Sequence, residues 1–160
     1  MNMIWSNICG ISGRTRIPNE IIPVKAEQSK SLFGHDANWA INLELELDSR
    51  TTAGSDGRSW LKITLSKVHC IQQVITYYQD GTPKRTATCT SSDCSTSCSG
   101  SGCPTFLLTA TTENIEIGDL PLIADCKYGN TVKFENRNGD DFAISDMAIT
   151  GKQGGITRIF

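Results

Sequence analysis

The chain reads as an all-β protein, an antiparallel sandwich or barrel that carries a disulfide-rich loop insertion. Three observations predict this. Short runs alternate apolar and polar residues with period two, turn residues punctuate them at close intervals, and helical periodicity is weak throughout. In LELEL, Leu43, Leu45 and Leu47 are expected on one face of a strand, with Glu44 and Glu46 on the other. In WLKITL, Leu61, Ile63 and Leu65 alternate with Lys62 and Thr64. Further strands are expected over Ile71 to Tyr78, Thr105 to Thr111, Thr131 to Glu135 and Phe142 to Thr150. All are rich in the β-branched and aromatic residues that suit a pleated, half-buried surface. Turns are expected at Gly54-Ser55-Asp56-Gly57, Asp80-Gly81, Tyr128-Gly129-Asn130 and Asn138-Gly139-Asp140, and a helical turn within Leu32 to Ala40. Many short strands at this spacing define a sandwich or a barrel.

Length and composition narrow the function classes. A chain of 160 residues forms one domain with a real core, and 38% hydrophobic with 20% charged residues is the composition of a folded protein. The sandwich is expected over 24–152, with 1–23 as an N-terminal arm or edge strand and 153–160 as a C-terminal tail. A net charge of -2 supplies no long-range attraction for nucleic acid or an anionic membrane. No run approaches the roughly 18 apolar residues of a membrane span. The opening MNMIWSNICGISG lacks the basic and apolar regions of a signal peptide, so the chain is read as mature or as part of a larger precursor.

Seven cysteines are the strongest compositional feature: Cys9, Cys70, Cys89, Cys94, Cys98, Cys103 and Cys126. Four of them fall in TCTSSDCSTSCSGSGC, from Thr88 to Cys103, nearly evenly spaced among Ser, Thr and Gly. Zinc sites use tighter paired knuckles, and the only histidines, His35 and His69, lie far from this run. A redox centre would need Cys-x-x-Cys, which is absent. Cys89, Cys94, Cys98 and Cys103 are therefore expected to form two disulfides, in any of three connectivities. Cys70 and Cys126 flank separate strand-like runs and make a third pair. Cys9 is left over, either buried and unpaired or available for an intermolecular bridge. Disulfides place the protein in an oxidising, extracellular compartment.

The order of motifs resembles a known family. KAEQS (Lys25 to Ser29), NWAIN (Asn38 to Asn42), SWLKITLSKVHCIQQVI (Ser59 to Ile75) and FAISDMAITGK (Phe142 to Lys152) are similar to the galactose-binding-like jelly rolls. That family includes discoidin-type (coagulation-factor type C) domains and F-type lectins. The resemblance spans Val24 to Gly151 and implies a jelly-roll sandwich that binds a glycan. The F-type fucose signature, a histidine followed by Arg-x-Asp and a later Arg or Lys, finds its frame at Tyr78-Gln79-Asp80 and Arg85, with the histidine position on Thr51. Tyr78 stands where the first arginine is usual. The implied ligand residues are Arg50, Thr51, Tyr78, Asp80 and Arg85. The family also implies a structural Ca²⁺, whose ligands fall on Asn38, Asn42, Glu44, Ser49 and Asp146. All five carry side-chain oxygen, although Asn42 stands where an aspartate is usual.

Catalysis has no sequence support. His69 and Cys70 are strand neighbours facing opposite ways, GKQGG lacks phosphate-loop spacing, and no N-glycosylation sequon occurs. The reading is a secreted, non-enzymatic, lectin-like binding module whose partner is a glycan or an extracellular matrix component. The alternative is a self-assembling matrix or biomineral-associated protein with the same fold. In it, homo-oligomers form through Cys9 or through the arm that carries Trp5.

Overall fold

The computed structural model of the chain describes residues 13–96, 106–114, 123–136 and 138–152. Among them the protein is built of β-strands with one short 3₁₀ turn, Ala37–Ala40, capped by the Asp36 side chain. The strands are β1 (Glu20–Ile21), β2 (Pro23–Gln28), β3 (Ser49–Thr51), β4 (Ser59–Tyr77), β5 (Pro83–Cys89), β6 (Cys94–Thr96), β7 (Phe106–Thr111), β8 (Lys127–Asn136), β9 (Phe142–Ile144) and β10 (Asp146–Lys152). Eight of them form one antiparallel sheet, and β3 with β9 form a second, two-stranded sheet, giving a β-sandwich.

Strand β4 organises the molecule. Its first half pairs with β2 on one side and β8 on the other; its second half pairs with β10 and β5. The expected alternation holds where it was expected: Leu61, Ile63 and Leu65 are buried, and Lys62 and Thr64 are partly exposed. Register slips between Thr64 and His69, and beyond it Cys70, Ile71, Val74 and Tyr77 are the buried positions. The slip lets both halves of β4 face one core. Leu61 and Ile63 share a single apolar cluster with Ile71, Val74, Leu108 and Ile149.

Three expectations are corrected. LELEL is not a strand: Leu43 has φ 66°, only Glu44 makes an isolated bridge, to Gly13, and bends occupy the rest. Tyr128-Gly129-Asn130 lies inside β8 rather than in a turn. Gly129 is required there because a Cβ would stand 2.9 Å from the Thr111 carbonyl oxygen of the neighbouring β7. The run from Phe142 to Thr150 is interrupted at Ser145, where the chain leaves the small sheet as β9 and enters the large one as β10. The other turns stand, with Gly57, Gly81 and Gly139 at φ 78°, 89° and 75°.

Two disulfides form, Cys70–Cys126 and Cys89–Cys94, the second between directly paired residues of β5 and β6. Cys9, Cys98, Cys103 and Trp5 lie outside the described residues. No helix among the described residues is long and apolar enough to cross a membrane.

Gly151 carries a testable demand of the fold. It sits at the register slip between β10 and β4, and a Cβ there would meet the Cys70 carbonyl oxygen at 2.7 Å and Ile21 Cδ1 at 2.8 Å. Gly151→Ala is expected to cost about 1–3 kcal/mol, because a backbone atom cannot yield as a side chain can. Gly54→Ala, whose Cβ would meet nothing closer than 3.5 Å, is the control and should change little. Equal urea midpoints for the two variants would remove this reading.

Candidate functional site

A cleft of about 380 Å³ opens between β9 and the β4–β5 hairpin. Val74, Ala87, Leu108 and Phe134 form an apolar floor, and Phe142, Thr76 and Tyr77 also line the cleft. Lys84 and Arg85 from β5 and Asp140 and Asp141 from the β8–β9 connection form a rim with both signs of charge. Such a site can cover an apolar ligand face while offering donors and acceptors to polar edges.

Local sequence holds both lips. In the hairpin, Tyr78 N donates to Thr82 O (2.9 Å) and Gly81 N to Tyr78 O (3.0 Å). Asp80 Oδ1 accepts from Thr82 N (2.9 Å) and Thr82 Oγ1 (2.6 Å), and these bonds hold its carboxyl below the ordinary range. On the opposite lip, Gly139 N donates to Asn136 O (3.1 Å), and Ser59 Oγ donates to Asp140 O (2.6 Å), tying the loop to the start of β4.

The residues of the fucose-signature frame are only partly brought together. Arg85 lines the cleft. Tyr78 is exposed next to it, with Lys84 Nζ 5.7 Å from its ring centroid. Asp80 is spent on the turn. Thr51 is fully buried and donates to Gln28 Oε1 (2.7 Å), so it offers nothing to a ligand; the histidine position of the signature has become a core hydroxyl. Arg50 lies on β3 opposite Ala143, and its Nε is 3.4 Å from Asp48 Oδ1.

That second cluster was not legible as a site. His35 Nδ1 lies 2.8 Å from Asp48 O and 3.0 Å from Asp48 Oδ1; both are acceptors, so this nitrogen carries the proton. The His35 ring meets Trp39 edge-on at 5.2 Å. Phe33, two residues away, is 79% exposed at φ 56° in a tight turn where His35 N donates to Leu32 O (3.1 Å). The turn falls within the helical turn expected over Leu32 to Ala40, and Gly34 beside Phe33 has φ 74°.

The five oxygen-bearing residues of the implied Ca²⁺ site do not fit the ion as arranged. Asn38 Oδ1 accepts from Ala26 N (2.9 Å), and Asn42 Oδ1 accepts from Glu44 N (2.9 Å). Ser49 Oγ donates to Ile144 O (3.3 Å), and Glu44 is exposed. Asp146 is fully buried, with its Oδ2 2.6 Å from Arg14 Nε. Burial pushes the Asp146 carboxyl above its ordinary range, against the pull of Arg14. Burial also opposes the charge on Glu20, but the Arg14 fork and the Ile17 N–H outweigh it and hold that carboxyl low. Among the described residues, no three His, Cys, Asp or Glu side chains gather as a metal site would require.

No family model matches the chain, and no curated protein matches it. Solved structures do. A fucose binding module of Streptococcus pneumoniae is similar with a TM-score of 0.54 at 13% identity, covering 83% of this chain and 95% of that one. The lectin domain of Lectinolysin, complexed with Lewis B antigen, matches with a TM-score of 0.51 at 12% identity, covering 80% and 92%. CBM32-3 from a family 31 glycoside hydrolase of Clostridium perfringens matches with a TM-score of 0.50 at 11% identity, covering 82% and 96%. The chain therefore has the galactose-binding-like jelly-roll fold of these modules, at 11–13% sequence identity.

Proposed function

We propose that this chain is a secreted, non-catalytic carbohydrate-binding module whose ligand lies in the cleft between Arg85 and Phe142. The observation that carries the reading is the cleft itself: an apolar floor with Phe142 at its side, beneath a rim of Lys84, Arg85, Asp140 and Asp141. A sugar ring has one C–H-rich face and an edge of hydroxyls, each of which both donates and accepts. A rim with cations and carboxylates can serve both roles, and the floor can take the ring face. The fold supports the reading by likeness to modules described as binding fucose and Lewis B antigen. The two disulfides favour an oxidising, extracellular setting.

The test is a glycan array probed with the wild-type chain, followed by titration of the best glycan against Arg85→Ala and Asp141→Asn. Each variant should bind about 10- to 100-fold more weakly, the loss of a hydrogen bond to a charged group of roughly 1.5–3 kcal/mol. The melting temperature of Asp141→Asn should stay near wild type. A wild-type chain that retains no glycan, or variants that bind as tightly as wild type, would overturn the proposal.

A further inference from the structure

We infer that the Arg14 guanidinium neutralises Asp146 in place of the calcium ion that the sequence resemblance implies, so that this domain folds without a divalent cation. Arg14 precedes β1 and lies against the loop that the resemblance assigns to Ca²⁺. Its backbone N donates to Leu43 O (2.8 Å), and the adjacent Gly13 bridges to Glu44. The side chain then turns inward, where only 7% of it is exposed.

All five guanidinium N–H groups find acceptors. Nε donates to Asp146 Oδ2 (2.6 Å), and Nη1 and Nη2 grip Glu20 Oε1 and Oε2 (2.8 and 2.9 Å). The remaining two donate to Thr15 O (3.2 Å) and Met147 O (2.9 Å). The Tyr77 ring closes the site, its centroid 4.7 Å from Arg14 Cζ. Arg14 thus joins the 38–49 loop to the closing strand through two different groups: its backbone N–H bonds Leu43, and its guanidinium bonds Asp146 and Met147. Of the five residues implied for Ca²⁺, the guanidinium meets Asp146 alone, the one buried carboxylate among them.

Charge counting disfavours a metal ion beside Arg14 and Arg16. Arg14 faces the buried carboxylates of Asp146 and Glu20, and Arg16 Nη1 lies 3.0 Å from Glu20 Oε2 at the rim, so two positive charges meet two negative ones. A dication at Asp146 would stand beside the guanidinium with no further carboxylate to offset it. Among the described residues, Asp146 Oδ1 is the one buried polar side-chain atom without a hydrogen bond, a single oxygen where Ca²⁺ takes six to eight.

The experiment uses no glycan, so its outcome is independent of the carbohydrate reading. Thermal melts of the wild-type chain are compared in EDTA and in millimolar CaCl₂, and CaCl₂ is titrated calorimetrically into EDTA-treated, dialysed protein. The expected result is the same Tm in both buffers and no binding heat. Arg14→Met should melt several degrees lower than wild type in either buffer. If Arg14→Met does not fold, Arg14→Lys, which keeps the charge but not the five-donor fork, should fold with a lowered Tm. A wild-type Tm that falls in EDTA, saturable calcium binding, or an Arg14→Lys variant as stable as wild type would each overturn the inference.

Discussion

Removing the Cys70–Cys126 disulfide by the double substitution Cys70→Ala/Cys126→Ala should cost about 4 kcal/mol and lower Tm by roughly 8–16 °C. The bridge spans a sequence separation of 56, and the unfolded chain regains the entropy of that whole loop when it is cut. Cys89–Cys94 spans a separation of 5, so the corresponding double Ala variant should lose only about 2 kcal/mol. All four cysteines are buried, so the cavities left behind are similar and the difference isolates loop closure. The longer bridge also ties β4 to the chain just before β8, two strands already paired along much of their length. Urea titrations of the two variants decide the matter. If the short-loop variant loses as much stability as the long-loop one, chain entropy is not what these bridges supply.

The legible parts of this fold were those with a local cause. Alternation at Leu61, Ile63 and Leu65 was readable because one face of β4 is dry and the other wet, which is what a period of two encodes. The same alternation at Leu43, Leu45 and Leu47 misled, because strand formation also needs a neighbour: only Glu44 is bridged, and Leu43 adopts a left-handed conformation. Gly129 misled for a related reason. A glycine marks a turn or a close approach of backbones, and only the position of Thr111 across the sheet distinguishes the two.

The site was legible in the same uneven way. Arg85 was reachable because its spacing from Asp80 is fixed by a short hairpin. Arg14 and Asp146 are 132 residues apart, with no pattern in the sequence linking them. Nothing local distinguishes Arg14 from Arg16 two residues on, yet one is sealed beneath Tyr77 and the other lies at the rim. The resemblance singled out Asp146 as a Ca²⁺ ligand, but the group it faces, Arg14, comes from a segment at the far end of the chain.

Ile63→Ala should destabilise the domain by about 2–5 kcal/mol, while its sequence neighbour Lys62→Ala should cost less than about 1 kcal/mol. Ile63 is completely buried and stands opposite Val132 on β8 and Ala26 on β2, so truncation leaves a cavity walled by three strands. Those walls are held by backbone ladders on both sides of β4 and cannot collapse inward to fill it, which sets the cost toward the upper part of that range. Lys62 points to the opposite face, where its Nζ lies 3.4 Å from Glu113 Oε1 in a partly exposed pair of little net value. Because Ile71 belongs to the same apolar cluster as Ile63, a comparable loss is expected for Ile71→Ala on the other side of the register slip. Denaturant unfolding of all three variants tests the arrangement. Near-equal losses for Ile63→Ala and Lys62→Ala would mean that β4 does not present its two faces as described. A large loss for Ile63→Ala with almost none for Ile71→Ala would mean that the slip divides the core instead of joining its halves.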